Sequence, residues 1–146
     1  RDSYPENKRD KWYTAGIPPA NYASQLASGD WIFPLDHDDE FTPDHIEKLL
    51  EAAIRGKFEM VYGKIISIKN NLEKREIWSF PPEQNNFGFQ AAMYMRALNF
   101  FEYDIKSYLL GEPGDWNLCR RMLEAGVKIG AIEDVVGTIY PSGSQH

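Results

Sequence analysis

A mixed β-sheet flanked by helices, of the α/β class, is the fold this sequence predicts, on three observations. Helix-like and strand-like patterns alternate through the first part of the chain. After that, β-rich segments follow one another without a full helix between them. A late amphipathic helix pattern then separates them from a closing β-rich run. A chain of 146 residues with 42% hydrophobic content can bury one sizeable core but not two, so a single domain over 1–146 is expected.

The elements follow in order. Residues 1–15 are polar and contain Pro5, and are expected to be loop. Pro18-Pro19 suits the first turn of a helix, where a missing N–H costs nothing. Ala20, Ala23, Leu26 and Ala27 give that helix a narrow apolar face, and Gly29 ends it. Asp30 to Leu35 reads as a buried strand, with Pro34 near its end where a lost ladder bond costs least. Thr42-Pro43 opens a second helix, whose apolar positions are Ile46, Leu49, Leu50, Ala53 and Ile54, and Gly56 closes it. Strands are expected at Met60–Tyr62, Ile65–Ile68 and Glu76–Trp78, with a turn at Asn70-Asn71. Phe87 to Tyr94 is expected as a strand and Arg96 to Phe101 as a short helix. A helix from Asp115 to Ala125 follows a sharp turn at Gly111–Gly114. Strands at 127–132 and 135–136 close the domain, and 141–146 form a tail.

Composition excludes several classes. A net charge of -6, with only the short basic pairs Lys8-Arg9 and Arg120-Arg121, offers no phosphate-neutralising stripe, so nucleic acid is not an expected partner. The single Cys119 rules out an internal disulfide and a multi-cysteine zinc site; in a helical pattern it reads as a buried thiol. No apolar run reaches the ~18 residues of a membrane span and no leader pattern is present. A cytoplasmic setting is therefore expected, with a peripheral position at the inner membrane face as its variant.

The chemistry concentrates in Trp31–Glu40, where an apolar run drives into Asp36, His37, Asp38, Asp39 and Glu40. Clustered carboxylates repel one another and resist ionising unless a cation sits among them. Oxygen ligands of this kind favour Mn²⁺, Mg²⁺ or Ca²⁺ over softer metals. Ligand sites in open α/β sheets lie at the carboxyl ends of strands, which is where these residues fall. Alternation pairs Asp36 with Asp38. The bland alternative is a solvated acidic turn that favours the next helix through its dipole. A sharper rival is a calcium-binding EF-hand loop, since Asp36, Asp38, Glu40, Thr42, Asp44 and Glu47 occupy its ligand positions. Against that rival, Phe41 stands where the loop needs glycine, and the segment before Asp36 is strand-like.

These residues carry a resemblance. Asn21-Tyr22-Ala23, then Leu26 to Ile32, then Leu35-Asp36-His37-Asp38-Asp39 and Pro43 resemble the series N-x-A/G, A-x-G-x-[WY]-[IVL], L-D-x-D-D and P of GT-A glycosyltransferases of family 2. Gly114-Asp115-Trp116 through Gly126-Val127-Lys128-Ile129 is similar to that family's E-D-x-x-L…R…G-x-K-I segment. The chain has Gly114 where the family has Glu, and Glu112 is a candidate to replace its support. The resemblance spans Gly16 to Pro141 and implies a partial GT-A domain without the opening nucleotide-binding half. It further implies that Asp36, Asp38 and Asp39 form the D-x-D element that binds a nucleotide sugar, with Mn²⁺ or Mg²⁺ on Asp38 and Asp36. Asp115 becomes the catalytic base, as a helix-start carboxylate can be. Trp116 and Glu112 are acceptor-side candidates. The implied partners are a nucleotide-sugar donor, with a UDP-sugar expected, and a carbohydrate acceptor; the implied reaction is metal-dependent, inverting glycosyl transfer. A non-catalytic carbohydrate- or nucleotide-binding remnant of the fold is the alternative. His146 is a weaker metal-ligand candidate, and the aromatic residues Trp78, Phe80, Phe87 and Phe89 read mostly as core.

Overall fold

The structure, a computed structural model, describes residues 5–140. Its axis is strand β3 (Met60–Ile68), rich in β-branched and aromatic side chains. β5 (Ala92–Met95) runs antiparallel to the first half of β3, and β4 (Lys74–Ile77) antiparallel to the second half on the same side. β6 (Ile129–Ile139) runs parallel to β3 on its other side and carries β2 (Asp39–Phe41) antiparallel at the far edge. β1 (Trp31–Ile32) pairs with β5, giving the order β1-β5-β3-β6-β2 with β4 off that path. The sheet is therefore mixed and flanked by helices, as expected from the pattern.

Alternation along β3 builds two cores. Met60 and Tyr62 face a cluster with Tyr94, Leu118 and Met122, the last two from α4 (Gly114–Glu124). Val61 and Ile65 face the opposite cluster with Leu49 and Ala53 of α3 (His45–Gly56). Each face of the sheet thus has its own helix. Gly63 sits at an irregularity of the β3–β6 register, and a Cβ there would stand 2.8 Å from Val136 Cγ2, so only glycine lets the strands approach.

Several expectations need correction. The stretch 1–15 is not all loop: α1 (Lys8–Thr14) forms because Asn7 caps it, its Oδ1 accepting from the Asp10 N–H at 2.8 Å. The strand expected over 30–35 shrinks to Trp31–Ile32 at the sheet edge, since Pro34 donates no ladder bond. α2 (Ile17–Leu26) is a helix as expected, but Leu26 is 65% exposed. Polar side chains hold it instead: Gln25 donates to the Asn99 carbonyl at 2.9 Å, and Asn21 bonds both backbone groups of Tyr103. α3 buries the i, i+4 stripe His45, Leu49 and Ala53, leaving Ile46 and Ile54 exposed. Phe89–Ala91 and Arg96–Leu98 are 3₁₀ turns bracketing β5. The paired strands expected near 60–68 and 127–136 each run on as one, because parallel β3 and β6 support each other along their length. His146 and the 141–146 tail lie outside the described residues.

Candidate active site

One cleft of about 570 Å³ opens where the loop after β1, the start of β2, the β3–β4 hairpin, α1 and the start of α4 meet. Asp36, Asp38, Asp39, Asp115 and Trp116 all line it. The apolar run ends at Pro34-Leu35, and the chain then turns through 36–38 before re-entering the sheet as β2. The Asp39 N–H closes that turn onto the Asp36 carbonyl at 3.2 Å. Asp39 is held by Gln90, whose Nε2 donates to Oδ2 at 3.1 Å. The EF-hand alternative fails here: strand β1, not an incoming helix, precedes Asp36, and residues 39–41 pair with β6 of the central sheet.

Asp115 comes from a different part of the chain. Pro113 in extended conformation delivers it to the first turn of α4, and its Oδ2 accepts from the Phe89 N–H at 2.8 Å. Asp115 is half-buried and closely surrounded by protein. That burial pushes its pKa up to about 6; the Phe89 N–H pulls against the shift, while the charges of Asp36 and Asp39 add to it. Asp36 is also pushed up, by its own burial and by Asp38. The three aspartates of the turn and Asp115 therefore share one electrostatic field although they lie far apart in sequence.

Gly114 packs closely against α2. A Cβ at Gly114 would stand 3.0 Å from Ile17 Cδ1, so the tip of that side chain would have to give by a few tenths of an ångström. Glu112 does not line the cleft with Asp115. Its carboxylate accepts two bonds from Arg120, at 2.6 and 2.8 Å, and one from Asn117 Nδ2 at 2.8 Å, and these partners hold its pKa below the ordinary carboxylate range. It braces the start of α4 through Asn117 and Arg120.

Other residues of the cleft escape sequence reasoning. Tyr103 faces the carboxylates with a hydroxyl that burial and the Asp115 charge keep firmly protonated. Asn21 fixes that tyrosine from α2: its Nδ2 donates to the Tyr103 carbonyl at 3.0 Å and its Oδ1 accepts from the Tyr103 N–H at 2.9 Å. The asparagine is visible in sequence, but its partner 82 positions away is not. Trp12 and Tyr13 of α1 form the outer wall with Trp116. Of the aromatic residues expected in the core, Phe89 is buried, Phe87 reaches the cleft and Phe80 is 59% exposed.

The sequence model of glycosyl transferase family 2 matches residues 20–109. The chain belongs to that family. The match takes in Asp36, Asp38 and Asp39, whereas Asp115 and Trp116 lie beyond it. No curated protein matches this family 2 chain. The mixed sheet flanked by helices agrees with a partial GT-A fold, and glycosyl transfer is the general activity that membership supports. Among the described residues, no helix is long and apolar enough to cross a membrane.

Whether the turn suits a divalent ion follows from its donors. Asp36, Asp38 and Asp39 offer hard oxygens, and burial together with the neighbouring Asp38 charge holds the Asp36 pKa up, a penalty that a cation would relieve. Among the described residues, no three His, Cys, Asp or Glu side chains form a closed metal cage. An ion of the Mg²⁺ type commonly takes only one or two carboxylates from protein and completes its shell with phosphate and water. The residues fit that open arrangement.

Proposed function

We propose that this domain is a metal-dependent, inverting glycosyltransferase that moves a sugar from a nucleoside-diphosphate donor to an acceptor hydroxyl. One observation carries the reading: two carboxylates able to hold a cation and a third with a raised pKa line the same cleft. Asp38, assisted by Asp36, would hold Mn²⁺ or Mg²⁺ bearing the donor diphosphate, with a UDP-sugar as the first donor to try. The bound ion supplies charge neutralisation of the leaving diphosphate.

The chain's own part is proton transfer and positioning. Asp115 accepts the proton of the acceptor hydroxyl as that oxygen bonds to the anomeric carbon. The bond from that carbon to the diphosphate breaks, and its electron pair leaves with the nucleoside diphosphate. Attack from the face opposite the leaving group inverts the anomeric centre. A carboxylate with a pKa near 6 is ionised at neutral pH yet more basic than an ordinary aspartate, which suits a general base. The Phe89 N–H fixes one oxygen and leaves the other for the acceptor. Tyr103, kept protonated, is a neutral donor beside the carboxylates, and Trp116 offers an apolar face on the acceptor side.

Calorimetric titration with Mn²⁺ and with Ca²⁺, each with and without UDP, tests the reading. Mn²⁺ binding that depends on UDP is the expected result. Metal-independent sugar binding without turnover would mark a non-catalytic binding domain instead, and tight Ca²⁺ binding alone would remove the transferase assignment.

A further inference from the structure

Charge is distributed unevenly along the cleft. Its carboxylates gather at one end, and Arg75 of β4 is the only lysine or arginine among its lining residues. Strand register fixes how far apart these ends are. Asp39 lies opposite Ile139, Ile139 beside Ser67, and Ser67 opposite Arg75, and all four line the cleft. Three inter-strand steps of about 4.8 Å separate the Asp39 and Arg75 backbones by about 14 Å.

Arg75 is held in place. Its Nη2 donates to the Asn85 carbonyl at 2.8 Å and to Asn86 Oδ1 at 3.1 Å, both from the loop after β4. No carboxylate among the described residues pairs with it, and its Nε and Nη1 donate to no described residue. An anchored guanidinium with unused donors, facing a cleft and lacking a counter-ion, is suited to an anion from outside. The donor diphosphate and its cation belong at the carboxylate end, because Asp115 must reach the anomeric centre and feels Asp36 and Asp39 directly. The space towards Arg75 is left for the acceptor.

We propose that Arg75 determines acceptor specificity by binding a negatively charged substituent, a carboxylate or a phosphate, on the acceptor molecule. The proposal rests on the transferase reading of the cleft. A neutral acceptor would leave those donors without an anion, whereas an anionic one gains charge-assisted bonds and is placed with a hydroxyl towards Asp115.

The test is a titration of the ¹⁵N-labelled chain followed by NMR, with methyl β-glucoside, methyl β-glucuronide and glucose 6-phosphate as probes and UDP with Mn²⁺ in parallel. An anionic sugar should bind about tenfold or more tighter than the neutral glycoside and should shift the amides of Ser67, Arg75 and Asn85. Which anionic probe wins separates carboxylate from phosphate recognition. Arg75→Gln should abolish the preference, Arg75→Lys should keep part of it, and both should bind UDP–Mn²⁺ as the wild type does. Equal or absent binding of all three sugars, or a preference that survives in Arg75→Gln, overturns the proposal. So does an equal loss of UDP–Mn²⁺ affinity in that variant, which would assign the arginine to the donor. Failure of UDP–Mn²⁺ to bind the wild type, with the anion preference intact, would defeat the transferase reading and leave the anion site standing.

Discussion

Two carboxylates three residues apart at the start of α4 meet opposite fates. Glu112 is neutralised by a bidentate Arg120 and by Asn117, so its pKa falls and its charge is stabilised. Asp115 is desolvated by burial, with one backbone N–H to offset it and the charges of Asp36 and Asp39 adding to it, so its pKa climbs to about 6. Burial raises both, but for Glu112 the Arg120 guanidinium outweighs it, whereas for Asp115 burial dominates and no cation offsets it. A carboxylate with its cation built in serves the fold. One left in a field of like charges remains available for a proton or a ligand.

The contrast breaks most visibly at Asp115. Replacing it by Asn should lower turnover about 10³-fold and leave UDP–Mn²⁺ binding unchanged by calorimetry; unaltered turnover would remove Asp115 from the chemistry. Asp38→Asn should instead act on binding, weakening Mn²⁺-dependent UDP affinity by roughly 10²-fold, about what loss of one charged contact costs. Glu112→Gln removes the bidentate and less exposed of the two carboxylates that pair with Arg120, leaving only the more exposed Glu124. Thermal or urea unfolding should then show a loss of about 2 kcal/mol, with the pKa governing turnover unmoved.

The smallest effect lies in pH dependence, where the two residues should have opposite signs. Between its ordinary value of 3.8 and about 6, folded Asp115 keeps a proton that the unfolded chain has lost. Its ionisation therefore costs stability as pH rises through that window, and the cost is complete above it. Asp115→Asn should accordingly be more stable than wild type at pH 8, as urea unfolding would show, and lose that advantage below pH 4. Glu112, lowered from 4.5, stabilises the fold above that value, and this contribution disappears on acidification through its folded pKa. Turnover should fall as pH drops through about 6, or somewhat below it once a cation beside Asp36 pulls the raised pKa of Asp115 back down.

Much of this site can be read in the sequence because its signals are local. The acidic turn follows directly on an apolar run, and Asp115 follows a Pro-Gly pair that starts a helix. α3 and α4 are legible for the same reason, through their apolar periodicity. What misleads is burial that depends on partners elsewhere. Leu26 and Ile54 fit helical apolar faces yet point to solvent, because α2 is held by Asn21 and Gln25 and α3 docks by a narrow stripe. Glu112 looks like an acceptor-side carboxylate until Arg120 is seen to hold it.

By itself the sequence determined the class of the fold, the order of most elements and which carboxylates belong together chemically, since periodicity, caps and clustered charge are properties of neighbours along the chain. Only the tertiary structure decided that Asp115 shares a field with Asp36, that Ile17 fills the space beside Gly114, and that Arg75 faces the acidic end along one row of the sheet. Those are facts of strand register and helix docking. Register depends on pairing between distant segments, and no local pattern encodes it.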